Sequence, residues 1–172
     1  FVSTPKRPND LNYKSIELFA KMIKKYDLEQ NYEIIYKLHP AEDLTDYNKL
    51  LENNFINKIQ LVKDGNVFDL LEENSIVIGT VSSVLIEVIS IGIPVIQLLP
   101  ELCKKIDFDW VKDGIIATSN IDELHILVNK IVTDNKYRNL ILENESKLIK
   151  LMFGNITNTS EEIASLLENK LR

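Results

Sequence analysis

SIVIGTVSSVLIEVISIGIPVIQLL, residues 75–99, is the stretch around which the rest of the chain is read. Residues 75–79 are a β-branched run of strand length ending on a glycine, and apolar residues then fill nearly every position until Gly92 and Pro94 stop the run. The pattern predicts a strand, a turn, a buried helix and a second strand. In the turn, Thr80, Val81, Ser82 and Ser83 set hydroxyls and backbone N–H groups at a helix N-terminus. Unpaired donors and the positive end of the macrodipole favour an anion there. One helical turn on, Glu87 is the single charge among Val84, Leu85, Ile86, Val88, Ile89 and Ile91. A helix apolar on all sides is buried between layers, so this carboxylate is expected to need a protein cation or a ligand hydroxyl. No lysine or arginine lies at helical spacing from it within the segment, and a ribose diol would suit it.

Upstream of this stretch, residues 1–3 read as the end of a strand, and the prolines and Asn-Asp pair of residues 4–10 read as a loop. The chain opens on Phe1 rather than a methionine, which suggests a piece of something longer. Ile16, Phe19, Ala20, Ile23 and Tyr26 recur at helical spacing and predict a helix over about 13–26. YEIIYKL at 32–38 is a strand ended by His39 and Pro40; a helix over about 44–52, a strand at 59–62, a turn at 63–66 and a brief helix at 67–71 follow. Downstream, a loop runs to Trp110 and a short strand covers 114–118. Asn120 with Glu123 forms a capping box for a helix whose Ile121, Leu124, Val128 and Ile131 share a face, and helices over about 137–152 and 159–171 close the chain.

Strands alternating with helices of this length imply right-handed crossovers, hence an α/β fold: a Rossmann-like parallel sheet with helices on both faces. The 172 residues, 45% hydrophobic and without a compositional break, suit one globular domain. A formal charge of −6 with scattered basic pairs argues against a nucleic-acid partner. The lone Cys103 excludes an internal disulfide and fits a reducing, cytoplasmic setting. Glu87, Gly92, Pro94 and Gln97 interrupt the longest apolar run, so no membrane span is expected, and no signal peptide is seen.

In a doubly wound sheet, ligands lie beyond the carboxyl ends of the strands. That edge gathers Thr4 to Arg7, His39, the loop at 63–66 and the turn at 80–83. The imidazole of His39 can hydrogen-bond a phosphate or, protonated, neutralise one; the alternative is a histidine satisfied by its own turn. Ser82 or Ser83 could simply cap the helix, although two in a row after Thr80 exceed what a cap needs. Lys6 and Arg7 could reach a phosphate or remain a solvated pair. His125 reads as a surface or boundary residue of its helix, and the 108–110 cluster as a packing plug or an acceptor-side loop. No GxGxxG, GxxxxGK[ST] or HExxH pattern is present, and a zinc site is not expected.

The series K-L-H-P at 37–40, V-F-D-L-L-E-E-N at 67–74, G-T-V-S-S-V-L-I-E at 79–87 and G-I-P-V-I at 92–96 resembles the carboxy-terminal, donor-binding domain of GT-B glycosyltransferases. It is most similar to the bacterial surface-polysaccharide branch with an HP motif and a serine pair, which includes sialyltransferases and CDP-glycerol glycerophosphotransferases. The resemblance covers roughly residues 1–171, including Phe153, Gly154 and Asn155 before the last helix. It implies that His39, Thr80, Ser82 and Ser83 hold the phosphates of a CMP-, CDP- or UDP-linked donor and that Glu87 holds the ribose. Lys63, Asp64 and Val67 of the loop at 63–67 would meet the base. It further implies a cytoplasmic cell-envelope or capsular-polysaccharide enzyme, compatible with peripheral membrane association, that needs no metal and no cofactor. The saccharide acceptor and the general base would belong to a second domain that has no counterpart here, with His39 the other catalytic candidate. Catalysis would then be positional and electrostatic. Two further readings stand beside it. One is a non-hydrolysing nucleotide-sugar epimerase, whose usual glycine pair is replaced by Ser82 and Ser83. The other is a nonenzymatic flavodoxin-like interaction domain in which Glu87 is paired inside the protein.

Overall fold

The computed structural model describes residues 11–53, 59–80, 82–99 and 114–154. The expected strand at 1–3, the loop with Lys6 and Arg7, Val81, Cys103, the 108–110 cluster and the helix at 159–171 lie outside the described residues. In chain order the elements are α1 (Leu11–Lys25), a 3-10 turn (Leu28–Gln30), β1 (Ile34–Lys37), α2 (Leu44–Asn53) and β2 (Ile59–Val62). A second 3-10 turn (Val67–Leu70), β3 (Val77–Gly79), α3 (Ser83–Ser90), β4 (Val95–Leu98), β5 (Ile116–Thr118), α4 (Ile121–Thr133) and α5 (Asn135–Phe153) follow.

Each described strand pairing is parallel: β1 with β2, β3 with β4, and β4 with β5. Side chains alternate between the two faces of a sheet, and the two cores follow that alternation. Ile78, Ile96 and Leu98 join Ile34, Tyr36 and Leu38, and this set packs with Ile16, Phe19 and Ile23 of α1 and Leu124, Val128 and Ile131 of α4. Val77 and Val95, of opposite parity, pack with Leu85, Val88 and Ile89 of α3 and Leu148 and Ile149 of α5. Helices therefore cover both faces, as the alternation of strands and helices implies. The fold is α/β and Rossmann-like. No helix among the described residues is long and apolar enough to cross a membrane.

Local chemistry sets the boundaries. Gly92 takes φ 80°, a left-handed conformation that a glycine enters without steric cost, and its N–H donates to the Ile89 carbonyl at 3.0 Å to close α3. Gly114, at φ 149°, lies against α5, where a Cβ would fall 2.9 Å from the Asn144 carbonyl oxygen. The cap of α4 forms as expected on one side: Asn120 Oδ1 accepts from the N–H groups of Asp122 at 2.7 Å and Glu123 at 3.4 Å. Its reciprocal half is relayed. The Asn120 N–H donates to the Thr118 hydroxyl oxygen at 3.1 Å, and the Thr118 hydroxyl donates to the Glu123 carboxylate.

His125 does more than mark a boundary. Its ring stacks on Tyr26 with centroids 3.6 Å apart and planes 5° apart, joining α4 to the end of α1. Beside it, Lys25 and the Tyr26 hydroxyl donate to Asp122 at 2.6 and 2.8 Å, and these bonds hold the Asp122 carboxyl below its ordinary range. At the amino end of β4, Glu145 of α5 is buried, and its Oε1 accepts the Val95 N–H at 2.9 Å. Its Oε2 has no partner among the described residues. Burial pushes this carboxyl up from 4.5 to about 8, against the opposing pull of the Val95 N–H and the charge of Arg138.

Candidate functional site

The carboxyl end of β1 is fastened before it reaches His39. The Leu38 N–H donates to the Val62 carbonyl at 2.9 Å, and Pro40, lacking an N–H, stops the ladder. A compact turn follows. The His39 N–H donates to Glu42 Oε2 at 2.7 Å, the Glu42 N–H donates to the His39 carbonyl at 2.9 Å, and the Ala41 N–H donates to His39 Nδ1 at 3.1 Å. The last bond commits the Nδ1 lone pair, so the neutral ring carries its proton on Nε2, a donor that suits a phosphate oxygen. Glu42 is itself buried, and its Oε1 accepts from the Tyr47 hydroxyl of α2. Sequence reasoning missed Glu42; the available signal was an acidic residue three positions after a strand-ending histidine, the reciprocal spacing of a capping box.

Beyond β2, Lys63 is half-buried, Asp64 is exposed and Gly65 is left-handed at φ 82°. The Asn66 side chain accepts from the Phe68 N–H at 3.1 Å and starts the second 3-10 turn. Val67 packs in part against the core beneath α3, so only part of its surface is open to a ligand. Lys37, the last residue of β1, ties this loop to the neighbouring one: its buried ammonium donates to the carbonyls of Lys63 and, at 3.3 Å, Leu38.

Beyond β3, Thr80 is fully buried, and its carbonyl accepts from Gln97 Nε2 of β4 at 2.7 Å. Gln97 is also fully buried, and in the sequence it marks only an interruption of an apolar run. Ser82 is the N-cap of α3: extended at φ −147°, it accepts the Val84 N–H on its hydroxyl at 3.3 Å. Ser83 is the exposed first residue of the helix. The first turn of α3 holds no acidic residue, so nothing in it opposes the positive end of the dipole.

The structure corrects the expectation for Glu87. Rather than being apolar on all sides, α3 exposes an edge of Ser83, Glu87 and Ser90, and the Glu87 carboxylate stands in solvent. It therefore incurs no burial cost that a partner must offset. Among the described residues no ion pair holds it, so the internally paired glutamate of the interaction-domain reading is not found among them. Nor does any group of three or more His, Cys, Asp or Glu among the described residues form a metal site.

His39, the loop at 63–67 and the turn at 80–83 thus leave the carboxyl ends of parallel strands β1, β2 and β3. No protein-family model matches the chain, and no curated protein matches it. Among solved structures, Anabaena Alr3699/HepE in complex with UDP and glucose is similar over 98% of this chain and 48% of its own, with TM-score 0.57 and 15% identity. The chain shares its fold with HepE. The structure of HepE in complex with UDP gives TM-score 0.53 and 14% identity over the same shares. The chain spans about half the length of HepE, so the likeness concerns the fold of that half.

Proposed function

We propose that this chain is the donor-nucleotide-binding part of a glycosyltransferase or polyol-phosphate transferase acting in bacterial cell-surface polysaccharide synthesis. The observation that carries the reading is that His39 and the serine-capped N-terminus of α3 each follow the carboxyl end of a parallel strand, the side on which a doubly wound fold holds its ligands. The likeness to a fold that holds UDP in HepE supports it.

In this reading His39, Ser82 and Ser83 face the donor phosphates, the histidine through its imidazole and the turn through hydroxyls and backbone N–H groups, with Thr80 behind them. Because Thr80 is fully buried, its contribution runs through the shape of the turn that Gln97 holds. Glu87 takes the ribose diol from its exposed position, and Lys63, Asp64 and Val67 border the base. The departing nucleotide leaves with negative charge, and prepositioned donors at the helix terminus stabilise that charge without reorganising during the reaction. The acceptor and the general base are assigned to a second domain, and no metal enters the scheme. A nonhydrolysing epimerase would use the same nucleotide site, and epimer formation by the full-length parent without an acceptor separates it from a transferase.

Calorimetric titration of the chain with UDP, CDP and CMP tests the reading. One of the three is expected to bind, with His39→Ala weakening it about tenfold, the value of one lost charge-assisted hydrogen bond. Binding of that nucleotide with equal affinity by the alanine variant contradicts the role given to His39.

A further inference from the structure

We infer that Lys37 is an anion subsite for the diphosphate of the donor, an inference that rests on the donor-binding reading above. Lys37 ends β1, and only 9% of the residue is exposed. Its Nζ donates to two acceptors, the carbonyls of Leu38 and Lys63, and both are neutral. No carboxylate lies within ion-pair distance of it among the described residues. The nearest candidate by sequence, Glu42, commits its two oxygens to the His39 N–H and the Tyr47 hydroxyl. An ammonium has three donors, so among the described residues two carbonyls leave one N–H without an acceptor and the positive charge without a carboxylate.

Burying a cation without a counter-charge is costly, and a clamp between two carbonyls could be made by a neutral amide. The position explains the charge. Lys37 sits between the exits of β1 and β2, one residue from Leu38, two from His39, and bonded to the first residue of the loop at 63–67. A diphosphate held there receives a point charge from Lys37 and a hydrogen bond from His39 Nε2, while the two carbonyl bonds fix the ammonium in place before the ligand arrives. Lys37 is thus a binding residue for the phosphates, distinct from the base-binding loop it also braces.

Titrations of wild-type chain, Lys37→Met and Lys37→Arg with UDP, uridine and inorganic pyrophosphate test this. The expected result is at least about tenfold weaker binding of UDP and pyrophosphate by Lys37→Met, unchanged binding of uridine, and partial recovery in Lys37→Arg. Equal affinities for UDP in wild type and Lys37→Met overturn the subsite. A parallel loss for UDP and uridine also overturns it, since that marks a purely structural brace. Wild-type binding of pyrophosphate but of no nucleotide, with the pyrophosphate lost in Lys37→Met, keeps the subsite and overturns the donor reading instead. Should Lys37→Met not fold, the wild type still decides: with 13C-labelled lysine, the Lys37 Cε resonance shifts on adding UDP or pyrophosphate and not uridine. A resonance unmoved by pyrophosphate and UDP overturns the proposal.

Discussion

His39 is positioned by bonds that involve no ligand: its N–H on Glu42, its carbonyl taking the Glu42 N–H, and its Nδ1 taking the Ala41 N–H. If the proposed donor binds there, a residue arranged in advance loses little entropy on binding. Glu87 is the contrasting case. Its carboxylate is exposed and has no ion-pair partner among the described residues, so Glu87→Gln is expected to change unfolding free energy by no more than about 0.5 kcal/mol in denaturant titrations. The same substitution is expected to weaken binding of a ribonucleotide. Glu145 behaves differently again, because its carboxyl titrates near 8 in the fold and near 4.5 when unfolded. Between those values the unfolded chain is ionised while the native carboxyl keeps its proton, so native stability falls as pH rises through this window and is level below it. Chemical denaturation from pH 5 to 8 is expected to show a loss approaching about 1.4 kcal/mol per pH unit from this group. Glu145→Gln removes that slope.

Among the elements, α3 carries most of the proposed site and departs furthest from what its sequence pattern predicts. Its strand-turn-helix-strand frame was legible in residues 75–99, because β-branched strand residues, a glycine stop and a serine cap each have a local physical cause. Its burial was not. Ser83, Glu87 and Ser90 recur at four and three residues and share one edge of the helix, a narrow polar stripe that the surrounding isoleucines and valines obscured. For α1 the wider stripe of Ile16, Phe19, Ala20 and Ile23 left no such ambiguity. The long-range bonds were invisible for a different reason. Lys37 to the Lys63 carbonyl, Gln97 to the Thr80 carbonyl and Glu145 to the Val95 N–H each join residues far apart in the chain, and no local pattern encodes them. The cap itself is testable. Ser82→Ala leaves the Val84 N–H without its acceptor and is expected to cost about 1 kcal/mol, read as a lower denaturation midpoint at unchanged m-value.

At the scale of the molecule, helices on both faces bury the sheet and leave its strand ends as the place where polar groups can meet a ligand. The sequence motifs found that edge because strand exits are marked by residues that cannot continue a strand: His39 before Pro40, the turn at Lys63 to Asn66, and Gly79 before Thr80. What they could not convey is how the exits are cross-braced, by Lys37 between β1 and β2 and by Gln97 between β3 and β4. Each brace ties two neighbouring strand exits, the first within the β1-β2 pair and the second within the β3-β4-β5 set. The most direct test is a residue-resolved NMR titration of the chain with UDP, CDP and CMP up to millimolar concentration. One nucleotide is expected to move the amide signals of His39, Ser82, Ser83 and the loop at 63–67 together, while those of α5 stay still. A titration in which none of the three nucleotides moves these signals contradicts donor binding at this edge.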